Sequence, residues 1–131
     1  MPYLLDTNIC IFLMRGRVEL TERIRRERIQ DLFISEVTLA ELKYGVAKSY
    51  RPLGNRAHLE EFLLGVSILS VREALDVFAF EKARLYRSGQ PLPDFDLLIG
   101  ATAVHHGLTL VTNNTKHFQR IQGIQLEDWT S

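Results

Sequence analysis

The sequence predicts an α/β fold, a three-layer α/β/α sandwich with a mainly parallel central sheet. Two observations lead there. Short β-type runs recur along the chain, and the stretches between them carry apolar residues at helical spacing, the alternation that builds parallel sheets. The 131 residues suit one domain, 1–131, long enough to bury roughly two-thirds of its unfolded surface.

In chain order, residues 3–6 read as a strand and 9–14 as a helix. Residues 32–35 give a second strand, and a helix begins near Ser35 or Thr38. Pro52 and Gly54 mark 50–55 as a loop. Leu59, Phe62 and Leu63 stripe a helix that ends before Gly65, and 66–71 form the third strand. Leu75, Phe78, Ala79, Leu85 and Tyr86 stripe a helix over 72–87. Gly89, Pro91 and Pro93 then break 88–93. In 95–106, Phe95, Leu98, Ile99, Thr102 and Ala103 fall at i, i+3, i+4, i+7 and i+8, a core-facing stripe. Strands at 108–112 and 124–126 finish the sheet.

Composition narrows the function classes. With 46% hydrophobic and 24% charged residues the chain has ordinary globular proportions. No run approaches the roughly eighteen apolar residues of a membrane-spanning helix, so no membrane association is expected. The opening MPYLLDTN meets an acid at position 6 with no basic stretch before it, unlike a secretory signal. Cys10 is the one cysteine, which excludes an internal disulfide and a cysteine-based zinc site and suits a reducing cytoplasm. Set between Ile9 and Ile11, it reads as a core thiol. Sixteen basic and sixteen acidic residues cancel, which argues against indiscriminate coating of nucleic acid but not against an enzyme that cuts it. Arg15, Arg17, Arg23, Arg25, Arg26 and Arg28 cluster, diluted by Glu19, Glu22 and Glu27. That spacing suits a solvated helix face, with an RNA-facing patch as the other reading.

Parallel sheets bind ligands where strands end and helices begin. That rule selects Asp6-Thr7-Asn8, residues 35–41 and Thr112-Asn113-Asn114. One of Asp6, Thr7 and Asn8 suffices to cap the following helix, which leaves polar groups over. Thr38 to Glu41 matches a capping box, yet Glu41 has Val37 and Tyr44 as turn neighbours, and an acid on an apolar face needs compensation. Asp94 suits the cap of the helix after Pro93, leaving Asp96 in its first turn without a structural duty. Gly100 and Gly45, each four residues beyond an acid, suggest space for an ion or a substrate backbone. Three acids gathered at one sheet edge call for cations, and hard oxygen ligands select Mg²⁺ or Mn²⁺. Such ions activate water and stabilise the leaving oxygen in phosphodiester cleavage. The four histidines, His58, His105, His106 and His117, lack zinc-ligand spacing. His105 and His106, adjacent on a helix, are not expected to face one site, and His117 lies near the acids in sequence without being read as a ligand.

The run LLDTNICIFL, then ISEVTLAELKYG, then PDFDLLIGATAVHHGLTLVTNNTKHF, resembles the PIN-domain family, and within it the VapC toxins of bacterial toxin–antitoxin pairs. The resemblance extends from Tyr3 to Trp129 and keeps the acidic motifs in order. It implies Asp6, Glu41 and Asp96 as the metal-binding and catalytic acids of an endoribonuclease. Thr7, Asn8 and Ser35 fall on supporting positions, as do Thr112 and Asn114. Asn114 stands where many PIN nucleases carry a fourth acid, so one firmly held metal is expected and at most a weak second. The resemblance further implies a homodimer and a VapB-type antitoxin whose tail wraps the toxin and often places an Arg in the acidic site. The stretches DTNICIF and VTNNTKHF resemble toxins that cut initiator tRNA in its anticodon stem-loop. A haloacid-dehalogenase-like phosphatase would need an acid where Asn8 stands, and a phospho-receiver domain would carry its acid on the third strand. The remaining alternative is a catalytically weak PIN domain that binds an antitoxin or RNA.

Overall fold

Strand β1 (Tyr3–Leu5) is buried along its whole length, as a central strand covered on both faces must be. The structure, a computed structural model describing residues 2–130, sets β1 between β2 (Leu32–Ser35) and β4 (Thr109–Val111). Strands β3 (Ser67–Leu69) and β5 (Gln125–Glu127) form the edges, in the order β3-β2-β1-β4-β5. Every pairing is parallel, with Leu4 beside Phe33 on one side and Leu110 on the other. The sheet therefore grows outward from β1 in both directions. The crevice between the carboxyl ends of β1 and β4 is its topological switch point.

Alternation along β1 divides the core. Tyr3 and Leu5 point to a layer holding α1 (Thr7–Met14), α2 (Val18–Arg25) and α4 (Pro52–Leu63), where Ile9, Leu20 and Leu59 are buried. Leu4 points to α5 (Leu75–Arg87), α6 (Asp94–His106) and α7 (Thr115–Phe118), with Leu85, Ile99 and Phe118. Helix α3 (Glu36–Ala47) serves both, Leu42 in the first cluster and Val37 in the second. This is the expected three-layer sandwich, and each fully buried aliphatic side chain adds about 1.5–3 kcal/mol.

Three local expectations fail, each for a physical reason, and of the two starts offered for α3 the chain takes Ser35. Pro52 opens α4 instead of breaking the chain, because the first helical turn leaves N–H groups unused and tolerates proline. The capping box at Thr38 does not form. Helix α3 starts three residues earlier, capped by Ser35, whose Oγ accepts from the Val37 N–H at 3.1 Å. Asp94 is not a cap either. Pro93 holds the cap position and Asp94, the first helical residue, pairs with Lys82 Nζ at 2.9 Å. Finally, the predicted stripes misjudge exposure: Phe95, Leu75 and Tyr86 are 53%, 46% and 78% exposed. Helix α6 instead buries Leu97 and an unbroken run from Ile99 to Ala103, since it packs against α3, α5 and β4 together.

Candidate active site

Asp6 follows directly on β1, and its backbone N–H donates to the Val111 carbonyl at 2.9 Å, continuing the ladder to β4. The side chain is only 6% exposed. It both caps α1, Oδ1 accepting from the Thr7 N–H at 2.8 Å, and reaches across the switch point, Oδ2 accepting from Thr112 Oγ1 at 2.8 Å. Burial pushes its pKa up to about 6. The Thr112 and Thr7 donors pull the other way, and nearby Asp96 and Glu41 add to the rise. The three acids named from sequence thus form one electrostatic unit.

Hydroxyl groups organise this unit. Thr7 Oγ1 donates to Glu41 Oε1 at 2.7 Å and lies 3.0 Å from Thr38 Oγ1. Its single proton goes to the carboxylate, so the buried Thr38 acts as donor to Thr7. Thr112 Oγ1 donates to Asp6 and accepts the Asn114 N–H at 3.0 Å. Asp96, in the first turn of α6, lies 3.1 Å through Oδ2 from His117 Nε2 on α7. Each acid is held by a different neighbour: Asp6 by Thr112, Glu41 by Thr7 and Asp96 by His117.

Of the supporting residues named from sequence, Thr7 and Thr112 touch the acids directly. Ser35 is buried but spends its hydroxyl on capping α3. Asn114 contributes its backbone N–H while its exposed residue opens α7, and Asn8 is exposed on α1. Sequence reasoning missed His117 as the partner of Asp96 and Thr38 as the partner of Thr7. Thr38 sits three residues before Glu41, the only sequence signal it offered. Gly100 is also reassigned: a Cβ there would lie 2.3 Å from Ile121 Cδ1, so the space beside Asp96's helix is filled by apolar packing and not by an ion. Gly45, by contrast, faces open space. The arginine cluster is largely the solvated face. Arg17 pairs with Glu19 and Arg23 with Glu27, Arg23 also lying 4.6 Å from the Trp129 ring centroid.

Contrary to the sequence expectation, His105 and His106 do converge. With Glu73 they bring one ligand atom each to within 4.8 Å of one another, the one such group of three among the described residues. The oxygens of Asp6, Glu41 and Asp96 do not converge that closely, each like charge resting on its own neutral or histidine partner. Among the described residues no helix is long and apolar enough to cross a membrane.

The PIN-domain family model matches residues 3–124. The tRNA(fMet)-specific endonuclease VapC of Shigella flexneri is 38% identical, the alignment covering 99% of each chain. The crystal structure of DNA-bound VapBC from Salmonella typhimurium superposes with a TM-score of 0.93 at 37% identity over 98% of each chain. A toxin–antitoxin complex from Klebsiella pneumoniae gives 0.69 at 30% identity, over 93% of this chain and 94% of that one.

Proposed function

This chain belongs to the PIN-domain family and, within it, to the VapC proteins, and from that premise we propose that it is a metal-dependent endoribonuclease toxin that cuts initiator tRNA in its anticodon stem-loop. The observation that carries the reading is Asp6: a carboxylate 6% exposed, flanked by Glu41 and Asp96 and raised to about 6, with neutral donors as its hydrogen-bond partners. Such a group is out of balance by itself, and a hard divalent cation restores the balance. Asp6, Asp96 and Glu41 are the residues that would hold Mg²⁺ or Mn²⁺. When bound, the ion supplies Lewis-acid activation of water and neutralises charge on the scissile phosphate.

The chain's own groups do the positioning. Thr112 and the Thr7 N–H fix both oxygens of Asp6, Thr7 Oγ1 aims Glu41, and His117 restrains Asp96. Because Asp6 and Thr112 end neighbouring strands and Thr7 opens a helix, these orientations are set by rigid elements, as a reactive constellation requires. Asn114 adds no fourth charge, which favours one firmly bound metal.

The span of the family match supports reading residues 1–131 as a single nuclease domain. The relatives' complexes support a VapB-type antitoxin as partner, and with it a type II toxin–antitoxin pair. Exposed Leu53, in a groove between α3 and α4 also lined by Val46, Leu59 and Leu63, gives the antitoxin or a second copy apolar surface to cover. We take the toxin as a homodimer acting in the cytoplasm, where tRNA is found.

The test uses purified protein on initiator and elongator tRNAs, with Mg²⁺ or with EDTA, beside an Asp6→Asn variant. Expected is Mg²⁺-dependent cutting of initiator tRNA, abolished by EDTA and reduced about a hundredfold or more in the variant. Undiminished cutting by the variant or in EDTA would sink the metal-dependent reading. Failure of the parent to cut any RNA would favour a binding module, and absence of growth arrest on expression alone would count against the toxin role.

A further inference from the structure

The last turn of α6 carries a second group of metal-type side chains, outside the acidic crevice. Glu73 stands in a single 3₁₀ turn, Arg72–Ala74, which packs on α6 and is anchored by the fully buried Ala74. His105 and His106 end α6, their ring centroids 4.9 Å apart at 86°. One ligand atom from each of the three lies within 4.8 Å of the others.

Two details point to a ligand. His106 Nε2 is buried yet has no hydrogen-bond partner, a state that costs free energy and is rare in folded proteins. Its nearest counter-charge, Glu73 Oε2, is 3.7 Å away, too long for a hydrogen bond. Two ligands of one tetrahedral Zn²⁺, with bonds of about 2.1 Å, stand roughly 3.4 Å apart, so the observed gap is near what a shared ion needs. The setting is also favourable, because the carboxyl end of a helix attracts cations.

We propose that Glu73, His105 and His106 form a Zn²⁺ site, separate from the acidic crevice, that ties the turn after β3 to the end of α6. Two imidazoles and one carboxylate are a borderline-soft donor set, suited to zinc and poorly suited to Mg²⁺. Three protein ligands leave a fourth position open to solvent, on the side where Glu73 and His105 are exposed. The clamp stiffens the far end of the helix whose first turn holds Asp96. The site does not depend on the nuclease reading.

The experiment titrates chelator-treated full-length protein with Zn²⁺ by calorimetry in excess Mg²⁺, in parent, Glu73→Gln and His105→Gln forms, each also in the Asp6→Asn background. His105 and Glu73 are exposed, so these variants should fold, which circular dichroism checks. Expected is one Zn²⁺ per chain, affinity reduced about tenfold or more in either variant, and no change in the Asp6→Asn background. Zinc should also raise the melting temperature of the parent by several degrees, about 5 °C, and not that of the variants. Cobalt substituted for zinc should give the visible absorption of a tetrahedral site. Absence of Zn²⁺ binding, or affinity unmoved by both variants, overturns the proposal. So does zinc binding that occurs only with dimerisation and vanishes on dilution, which would put the ligands on two chains.

Discussion

Two carboxylates in this protein are almost equally buried, Asp6 at 6% and Glu81 at 3% exposure, and they are treated in opposite ways. Glu81, on α5, receives a two-pronged pair from Arg84 one turn later, Nε to Oε2 and Nη2 to Oε1 both at 2.8 Å, and the Gln122 N–H at 2.7 Å. The Arg84 hydrogen bonds hold it below its ordinary range despite burial. Asp6 has only hydroxyl and amide donors, with two further acids nearby, and burial raises it to about 6. Burial raises a carboxylate unless a cation of the chain overrides it, as Arg84 does for Glu81. Where the cation belongs to the chain, the acid is a fastener. Where it does not, the acid is poised for something that must arrive.

The sharpest way to break this comparison is Asp6→Asn measured for stability in EDTA. The folded value near 6 exceeds the ordinary 3.8, so the fold holds the Asp6 proton more tightly than the unfolded chain. This group's contribution is most favourable below pH about 4, is lost as pH rises towards about 6, and is constant above. The shift corresponds to about 3 kcal/mol. Asn cannot ionise, so the variant should match the parent near pH 4 and exceed it by up to about 3 kcal/mol at pH 7, read from urea unfolding. Mg²⁺ should stabilise the parent at pH 7 and leave the variant almost unmoved. A variant no more stable than the parent at pH 7 removes the assigned cost of the Asp6 charge. Together with lost cleavage, a gain in stability would mark a residue kept for activity.

Glu81 should behave in the opposite sense. Its depressed value gives stability present above its ordinary 4.5 and lost as pH falls through the folded value. Glu81→Ala leaves the Gln122 N–H without its acceptor and Arg84 without its partner. Arg84's side chain is 34% exposed and still donates to the Arg120 carbonyl at 2.7 Å, so solvent recovers part of the loss. The expected cost is about 2 kcal/mol by denaturant unfolding, with tRNA cleavage per folded molecule unchanged. A loss of cleavage equal to that of Asp6→Asn would make the fastener part of the reactive group.

The two sites also differ in how far sequence reveals them. Asp6 was legible because local rules suffice: an acid ending an apolar strand and opening a helix has only a few fates. Glu41 and Asp96 were legible as candidates in the same local way, but grouping them with Asp6 needed the family resemblance, since nothing local brings residues 6, 41 and 96 together. The sheet order β3-β2-β1-β4-β5 does. Where a nearer choice misled, a distant partner was responsible. Asp94 looked like a cap until Lys82 on α5 took it. Of the two caps offered for α3, Ser35 took the position and left Thr38 buried against Thr7. His105 and His106 looked divergent, yet at the end of α6 each brings a ring nitrogen within 4.8 Å of Glu73. Glu81 drew no notice, because its pairing with Arg84 three residues on reads as an ordinary helix-surface pair, and the Gln122 bond that completes it spans 41 residues.

The smallest effect bears on the link between the fastener and the helix that holds Asp96. A Cβ on Gly100 would meet Ile121 Cδ1 at 2.3 Å. That atom ends a flexible side chain and can move, so the overpacking cost of ~1–3 kcal/mol is offset by about 1 kcal/mol of helix propensity. Gly100→Ala should therefore destabilise by about 1 kcal/mol. Ile121 lies between Arg120, whose carbonyl accepts from Arg84, and Gln122, whose N–H donates to Glu81. Displacing Ile121 strains the same three residues that the Glu81 pair holds. In a double-mutant cycle, Gly100→Ala and Glu81→Ala should couple by ~0.5 kcal/mol or more, while Asp6→Asn and Glu81→Ala should add. If the first pair is additive, Ile121 yields to the new methyl without disturbing its neighbours. The Glu81 fastener would then hold α5 to its loop without supporting the helix that carries Asp96.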